Sequence, residues 1–281
     1  MSHIDATDTL ADRVVAITGA GNGLGRAYAR AAAAAGARVV VVDVDGRAAT
    51  VVTAEITAGG GDAVAVAVDV AATGAGEQII ETARAAFGRL DGFVANAGLL
   101  RPGALLKQSD DVVHRVIAVN VAGVIGTVTA AARAMVDGGS IVVILSGSLL
   151  GSEQLALYGT TKAAALGLVY GLSVELKGTG VRINGVAPRA HTAMSDEMGG
   201  PQEGKGGPPE RVAPVVTYLL GDGSQALNGH VLRFDGTHLA LLRPPRSEQQ
   251  VTRENWDADA IAATIAGPLR EESLACAPRG S

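Results

Sequence analysis

The chain has 281 residues, a hydrophobic fraction of 48%, an aromatic fraction of 3% and a formal net charge of −5 at pH 7. This length and hydrophobic content suffice for one α/β domain, whereas the few aromatic residues and the lack of a basic stripe argue against a nucleic-acid-binding protein. The single cysteine, Cys276, excludes an intrachain disulfide and a cysteine-based metal cluster, and the polar start and short apolar runs predict a cytoplasmic protein without a signal peptide or membrane span.

Short β-branched runs alternate with longer alanine-rich stretches along the chain. The predicted strands are Val14–Thr18, Arg38–Val42, Ala63–Val68, Gly92–Ala95, Ser140–Leu145, Val181–Val186 and His230–Arg233. The predicted helices lie at about 23–35, 46–58, 75–88, 109–135, 157–177 and 210–220. Because the strands are near-continuous apolar runs, both faces of the sheet are expected to be buried, which is typical of a parallel sheet. We therefore predict, over residues 1–237, a single α/β domain of the Rossmann type, with a doubly wound parallel sheet of about seven strands and helices on both faces.

Two segments depart from this alternation. Residues 199–209 contain eight glycines or prolines in eleven positions, so we predict a loop there, within a short substrate-covering loop at 193–211. Residues 238–281 form a C-terminal extension, in which Asn255 or Asp257 is expected to cap a short helix. Our hypothesis is that this extension packs on a neighbouring subunit.

A glycine-rich turn joins the first predicted strand to the first predicted helix. Its glycines follow the spacing Gly-x-x-x-Gly-x-Gly, and the turn includes Gly19, Asn22, Gly23, Leu24 and Gly25. Such a turn directs the amides of a helix N-terminus towards an anion and lets the backbone come close to it. We predict that these residues bind the pyrophosphate of a dinucleotide; the alternative is a structural turn that binds nothing.

Asp43 ends the second predicted strand, about 20 residues beyond the glycine turn. A carboxylate at this place accepts hydrogen bonds from the adenosine ribose hydroxyls and repels a 2′-phosphate. Asn22 stands where a 2′-phosphate would require a basic residue, and Asp45 adds negative charge. The sequence therefore favours NAD(H) over NADP(H), with a solvated strand end as the alternative role of Asp43.

Tyr158 and Lys162 are four residues apart in a predicted helix and therefore lie on one face of it, one turn from each other. A phenol with its ordinary pKa of about 10 is a poor base at neutral pH, and a nearby ammonium favours the phenolate. The pair thus predicts a proton-transfer site in which Lys162 lowers the pKa of Tyr158. The same spacing also occurs by chance in many helices, where it only covers surface.

Three further motifs lie between the glycine turn and Tyr158 along the chain. They are Asn96-Ala97-Gly98, Asn120 in an apolar helical stretch, and Ser146 directly after the fifth predicted strand. The joint pattern resembles the short-chain dehydrogenase/reductase family over about residues 12–237. The resemblance implies four catalytic residues, which are Asn120, Ser146, Tyr158 and Lys162.

In the family pattern Tyr158 is the general acid or base towards the substrate oxygen, and Ser146 binds that oxygen. Lys162 lowers the pKa of Tyr158 and binds the nicotinamide ribose, while Asn120 holds a water that links Lys162 to solvent. The alternatives are a buried amide bonded to backbone for Asn120 and a strand-end hydroxyl for Ser146. Ser148 is a rival for the substrate-binding serine.

The resemblance also implies further cofactor contacts. They are Asp69 and Val70 at the adenine ring, Asn96, Ala97 and Gly98 beside the adenine ribose, Tyr158 and Lys162 next to the nicotinamide, and Val186, Pro188 and Thr192 at the nicotinamide carboxamide. A helix-capping aspartate is an alternative role for Asp69. Arg189 stands where most relatives have glycine, and it either reaches an acidic or phosphorylated substrate or points to solvent.

The resemblance implies an NAD(H)-dependent oxidoreductase that interconverts a secondary alcohol and a ketone by hydride transfer. One alternative is a 3-hydroxyacyl or 3-oxoacyl thioester dehydrogenase/reductase, because the glycine turn and the segment from Ala187 look like the hydroxyacyl-CoA dehydrogenase branch and its bacterial relatives. Another is a non-catalytic nucleotide-binding sensor or scaffold. We expect a small-molecule substrate, no metal, no nucleic acid or membrane partner, and a homodimer or homotetramer assembled through the helices at 109–135 and 157–177.

Overall fold

Buried runs of Val, Ile and Ala form the strands of one sheet in the computed structural model, which describes residues 10–191, 206–245, 247 and 250–269. The strands are β1 (Val14–Thr18), β2 (Arg38–Asp43), β3 (Ala63–Ala67), β4 (Gly92–Ala95), β5 (Gly139–Ile144), β6 (Val181–Pro188), β7 (Val231–Phe234) and β8 (Leu239–Leu242). All residues of β1 and β4 are buried, because helices cover both faces at the centre of the sheet. The predicted α/β fold is confirmed.

The strand order is β3-β2-β1-β4-β5-β6-β7-β8. Strands β1 to β7 are parallel, and β8 runs antiparallel to β7. The chain adds β2 and β3 on one side of β1 and then returns to add β4 on the other side. In open sheets of this kind, ligands bind at the carboxyl ends of the strands where the strand order reverses, which is here between β1 and β4.

The eighth strand lies in the predicted C-terminal extension. It pairs with β7 from Val231–Leu242 to Phe234–Leu239, so the first residues beyond the predicted limit at 237 belong to the sheet. Leu239 and Leu241 are 62% and 49% exposed, because β8 is an edge strand. The expectation of about seven strands is one short, since four residues of an exposed edge lack the burial pattern on which strand prediction depends.

Helices cover both faces of the sheet. They are α1 (Gly23–Ala34), α2 (Gly46–Ala58), α3 (Ala75–Phe87), α4 (Asp110–Ile117), α5 (Val124–Ala134), α6 (Ala156–Glu175), α7 (Ala213–Leu220) and α8 (Ala258–Ala266). Alanine, the strongest helix former, provides half of the residues of α1. One core lies between the sheet and α3, α5 and α6, and contains Ile79 and Val169. The other lies under α1, α2 and α7, and contains Tyr28 and Leu219.

The helix predicted at 109–135 consists of three segments. The first, α4, follows Ser109, whose hydroxyl oxygen accepts a hydrogen bond from the Val112 amide at 3.4 Å. Residues 118–123 are π-helical and lead into α5. The stretch Asp110–Ala134 is long and apolar enough to cross a bilayer by length and composition alone, with a mean hydropathy of 1.6. Half of its most apolar part is buried inside the domain, as in a core helix.

A helix also forms in the C-terminal extension. Asp257 caps α8 by accepting a hydrogen bond from the Ala260 amide at 2.7 Å, which confirms one of the two predicted caps. Most of the predicted loop at 193–211 lies outside the described residues, and its last three residues, Pro209–Arg211, form a 3-10 turn.

Candidate active site

A cleft of about 900 Å³ opens at the carboxyl ends of the central strands. It is lined by the predicted site residues Gly19, Asn22, Gly23, Leu24, Gly25, Asp43, Asp69, Val70, Asn96, Ala97, Gly98, Ser146, Tyr158, Lys162 and Pro188. Asn120 and Val186 are buried next to these residues rather than on the cleft surface. Thr192 lies outside the described residues. The fold thus brings together segments that are up to about 170 residues apart in the chain, as expected for a site at the sheet reversal.

The glycine turn leaves the first amides of α1 open towards the cleft. A Cβ on Gly25 would collide with the carbonyl oxygen of Gly19, so only glycine allows this close backbone contact. Asn22 occupies the N-cap position without forming a side-chain cap, and the first turn of α1 contains no acidic residue. Uncapped amides and the helix dipole attract an anion, so this end of the cleft fits a pyrophosphate group.

Asp43 is fixed at the mouth of the cleft by two backbone amides. Its Oδ2 accepts a hydrogen bond from the Gly21 amide at 2.8 Å, and its Oδ1 accepts one from the Asp45 amide at 3.0 Å. Each carboxylate oxygen retains a lone pair for another donor. The geometry therefore fits a ribose diol, and the bond to Gly21 connects the end of β2 to the phosphate-binding turn.

Asn96 ties the end of β4 to the same turn. Its Nδ2 donates to the carbonyl oxygens of Thr18 and Gly19 at 2.9 and 3.0 Å. In return, the hydroxyl oxygen of Thr18 accepts hydrogen bonds from the amides of Asn96 and Ala97 at 3.0 and 3.1 Å. These four bonds hold together the two strand ends that flank the sheet reversal.

Asp69 forms an ion pair with a residue that the sequence did not identify. Its Oδ1 accepts from the Ala71 amide at 3.0 Å, as in a local turn, and its Oδ2 accepts from Arg115 of α4 at 2.8 Å. The backbone hydrogen bond from Ala71, followed by the interaction with Arg115, holds the pKa of the carboxyl below its usual value. Arg115 also lines the cleft. No local pattern links two residues 46 positions apart, so only the fold could reveal this pair.

Lys162 is buried behind Tyr158, with only 3% of the residue exposed. Its ammonium donates a hydrogen bond to the carbonyl oxygen of Ile144, at the end of β5, at 2.8 Å. The Nζ atom lies 5.5 Å from the centroid of the Tyr158 ring. Burial lowers the pKa of Lys162 to about 8, because the charged form loses hydration.

Tyr158 lies in the first turn of α6 and is partly exposed to the cleft. Burial of its phenol raises the pKa to about 12, and a hydrogen bond with the Ser146 side chain opposes this shift. The pKa of Tyr158 thus lies above its ordinary value, although the spacing predicts that Lys162 lowers it. Desolvation of the phenolate outweighs the attraction of an ammonium that is itself buried and bonded to Ile144.

Ser146 follows β5 and is oriented by its neighbour Ser148. The Ser146 hydroxyl oxygen accepts hydrogen bonds from the Ser148 amide and hydroxyl at 3.2 and 3.0 Å. Its own O–H thus remains available to donate to another acceptor in the cleft. Ser148 is the more buried of the two serines, so Ser146 is the better placed to meet a ligand. A Cβ on Gly159 would collide with the Ser148 carbonyl, and this glycine lets α6 approach the serine turn.

Asn120 lies in the π-helical segment and is 1% exposed. Its Oδ1 accepts from the Leu99 amide at 2.7 Å, and its Nδ2 donates to the Leu99 carbonyl at 2.8 Å and to the Thr161 hydroxyl at 3.1 Å. The side chain therefore has the bonding of a buried amide and joins the loop after β4 to α6. A Cβ on Gly98 would lie 3.4 Å from Asn120 Oδ1 and 3.6 Å from Lys162 Nζ, so these side chains are close neighbours.

The end of the cleft beyond Ser146 carries two arginines. Arg189 follows β6, and Arg233 lies in β7. Arg189 stands out in the sequence because most relatives have glycine there, whereas Arg233 was not predicted, although it interrupts the apolar run of its strand. Within the part of the chain that the structure describes, no three His, Cys, Asp or Glu side chains are grouped so that they could hold a metal ion.

A family model described as short chain dehydrogenase matches residues 13–201. The chain belongs to the short-chain dehydrogenase family. The predicted family is thus confirmed.

Individual members of the short-chain dehydrogenase family support the same placement. An uncharacterized NAD-dependent oxidoreductase of Mycobacterium tuberculosis is 35% identical over 172 residues, covering 53% of this chain and 62% of that protein, so the match spans less than two thirds of the relative. A short-chain dehydrogenase from Mycobacterium avium aligns with a TM-score of 0.83 and 32% identity over 97% of this chain and 98% of that one. A short-chain dehydrogenase from Burkholderia cenocepacia, solved in complex with NADP, aligns with a TM-score of 0.76 and 32% identity over 82% and 98%.

Proposed function

We propose that this protein is an NAD(H)-dependent oxidoreductase that interconverts a secondary alcohol and a ketone, with Tyr158 as the general acid or base. One observation carries the proposal. Ser146, Tyr158 and Lys162 meet at one end of a cleft whose other end presents open helix amides and the carboxylate of Asp43. A dinucleotide extended along the cleft would therefore have its adenosine at Asp43 and its nicotinamide near Tyr158.

Different residues of the chain would bind different parts of such a cofactor. The amides of the glycine turn would hold the pyrophosphate, Asp43 the adenosine ribose, and Lys162 the nicotinamide ribose, with Pro188 and Thr192 proposed at the carboxamide. When bound, the nicotinamide ring supplies or accepts a hydride at its C4 atom.

Tyr158 moves the proton of the reaction. Because burial raises its pKa to about 12, the phenol is protonated at neutral pH and can donate to the oxygen of a ketone as that oxygen becomes an alkoxide. Ser146 donates a second hydrogen bond to the same oxygen, since its lone pairs already accept from Ser148. The ammonium of Lys162, below its pKa of about 8, then stabilises the phenolate that remains.

The two alternatives differ from this proposal in measurable ways. A thioester dehydrogenase/reductase would use the same proton-transfer residues but would turn over 3-oxoacyl thioesters better than simple ketones. A sensor or scaffold would bind the nucleotide without turnover. The grouping of Tyr158, Ser146 and a buried Lys162 at one end of the cleft favours catalysis over a purely structural role, because titratable groups with shifted pKa values cluster at functional sites.

Replacing Tyr158 by Phe removes the proton donor and leaves the ring in place. We expect the Tyr158→Phe variant to bind NADH like the wild type and to lose at least about 100-fold in kcat with any ketone that the wild type reduces. The control is Tyr170→Phe, the same change in the same helix. The hydroxyl of Tyr170 has no hydrogen-bond partner among the described residues, so this variant should retain activity. Full activity of Tyr158→Phe would contradict the mechanism.

The preference for NAD(H) over NADP(H) is proposed on the basis of Asp43. A 2′-phosphate would approach the carboxylates of Asp43 and Asp45 in the same small region, and like charges repel.

The cytoplasmic location expected from the sequence stays a prediction.

Replacing Asp43 by Asn removes the charge and keeps the shape. We expect kcat/KM with NAD(H) to fall by about 10-fold and the ratio of NAD(H) to NADP(H) activity to fall by more than that, since a charge-assisted hydrogen bond is lost and a repulsion is relieved. Asp62→Asn is the matched control, because Asp62 is exposed directly before β3, at the amino ends of the strands and not at the carboxyl ends where the cleft lies. An unchanged cofactor ratio in Asp43→Asn, or a wild-type preference for NADP(H), would reject this assignment.

We propose a homodimer or homotetramer that assembles through α4, α5 and α6. Support comes from exposed apolar side chains on these helices, such as Ile125 and Val174, which are 45% and 61% exposed in the single chain. Light scattering should give a wild-type mass of two or four chains, and a lower mass for Ile125→Glu. Val51→Glu, at a similarly exposed position of α2, should keep the wild-type mass. A monomeric wild type would refute the proposal.

A further inference from the structure

Arg233 lies within the apolar run of β7, on the face of the sheet that carries α6, and is exposed. Successive side chains of a strand point to opposite faces, so Val231 and Arg233 share a face and Leu232 and Phe234 share the other. Val231 is fully buried in the core that contains Val169 of α6, whereas Leu232 and Phe234 pack on the opposite core. The alternation thus directs Arg233 to the same face as Tyr158, at the carboxyl end of β7.

The guanidinium of Arg233 reaches the turn that carries Ser146. A Cβ placed on Gly147 would lie 3.8 Å from both the Cζ and the Nη2 atoms of Arg233, and Gly147 is the residue directly after Ser146. Consecutive Cα atoms are about 3.8 Å apart. The guanidinium therefore lies beside the residue that follows Ser146, whose hydroxyl would hold the reacting oxygen.

No described acidic residue compensates this charge. Arg233 has no hydrogen bond or ion pair with any residue in the described part of the chain. The acidic residues that line the cleft, Asp43 and Asp69, belong to its adenosine end. The acid nearest in sequence, Asp235, already accepts hydrogen bonds from the amides of Thr237 and His238 at 2.8 and 2.6 Å.

We propose that Arg233 is a specificity-determining residue that binds a carboxylate of the substrate. This inference rests on the proposed function and names its substrate class, a short hydroxy acid and the corresponding oxo acid. A guanidinium presents parallel N–H donors that match the two oxygens of a carboxylate. Because the guanidinium lies beside Gly147, the residue next to Ser146, it fits a carboxylate that is close in the substrate to the reacting carbon. The phosphates of a coenzyme A ester do not meet this condition, since they are a full pantetheine arm away from the reacting carbon.

The test uses short 2-, 3- and 4-oxo acids, their uncharged methyl esters and acetoacetyl-coenzyme A, each with NADH. For the wild type, kcat/KM should be at least about 10-fold higher for the best oxo acid than for its ester. Arg233→Gln should lower kcat/KM for the acid by about 10- to 100-fold and leave the ester within about twofold. Arg233→Lys should retain part of the preference for the acid over the ester, because lysine keeps the positive charge but lacks the paired N–H donors of a guanidinium.

The matched control is Arg84→Gln, at an exposed position in the last turn of α3, which should change neither rate. The inference would be overturned if Arg233→Gln lowered kcat/KM equally for the acid and its ester. It would also be overturned if acetoacetyl-coenzyme A were the best substrate and the variant left its kcat/KM unchanged. Calorimetric binding of the oxo acid to the protein with NAD⁺ separates this inference from the proposed function. Binding that is lost in Arg233→Gln without any turnover would reject only the proposed function. Equal binding by both proteins would reject the role of Arg233.

Discussion

The hydrogen bond from the ammonium of Lys162 to the carbonyl oxygen of Ile144 is the contact on which the rest of the site depends. It joins α6 to the carboxyl end of β5 at 2.8 Å and in a buried environment. A buried charge is unfavourable unless it is hydrogen-bonded, so this bond holds α6 at one position relative to the end of β5. In that position Tyr158, one turn earlier in α6, lies next to Ser146, which directly follows β5. Under the proposed function, positioning and chemistry therefore come from the same side chain.

The cleft is electrostatically divided along its length. Carboxylates and open helix amides lie at one end, where Asp43 and the first turn of α1 fit the ribose and pyrophosphate of a dinucleotide. The described charged groups at the other end are cations, namely Lys162, Arg189 and Arg233. This arrangement suits an extended cofactor and an anionic substrate. The pyrophosphate of the cofactor would meet the helix amides, and the anionic substrate would meet the cations.

Much of this arrangement could be predicted from the sequence, because the signals are local. Buried strands appear in the sequence as apolar runs. The glycine turn and Asp43 directly follow such strands, and Tyr158 and Lys162 belong to one helix. Other features depend on distant parts of the chain. The ion pair of Asp69 with Arg115 and the π-helical segment around Asn120 need the tertiary structure. The direction of the Tyr158 pKa shift also needs it, since burial decides that shift and spacing does not report burial. The exposed strand β8 has no apolar alternation to reveal it.

The central claim is that Tyr158 is the proton donor and that burial keeps it protonated at neutral pH. The most direct test is the pH dependence of kcat/KM for ketone reduction with NADH. Because the pKa of Tyr158 is raised to about 12, the donor form persists throughout the range below it. Lys162, with a pKa of about 8, is also protonated well below pH 8, so kcat/KM should stay constant from about pH 6 to pH 7. A decline of about tenfold per pH unit across that range would mean that the donor is already ionised at neutral pH, and it would contradict this account of the site.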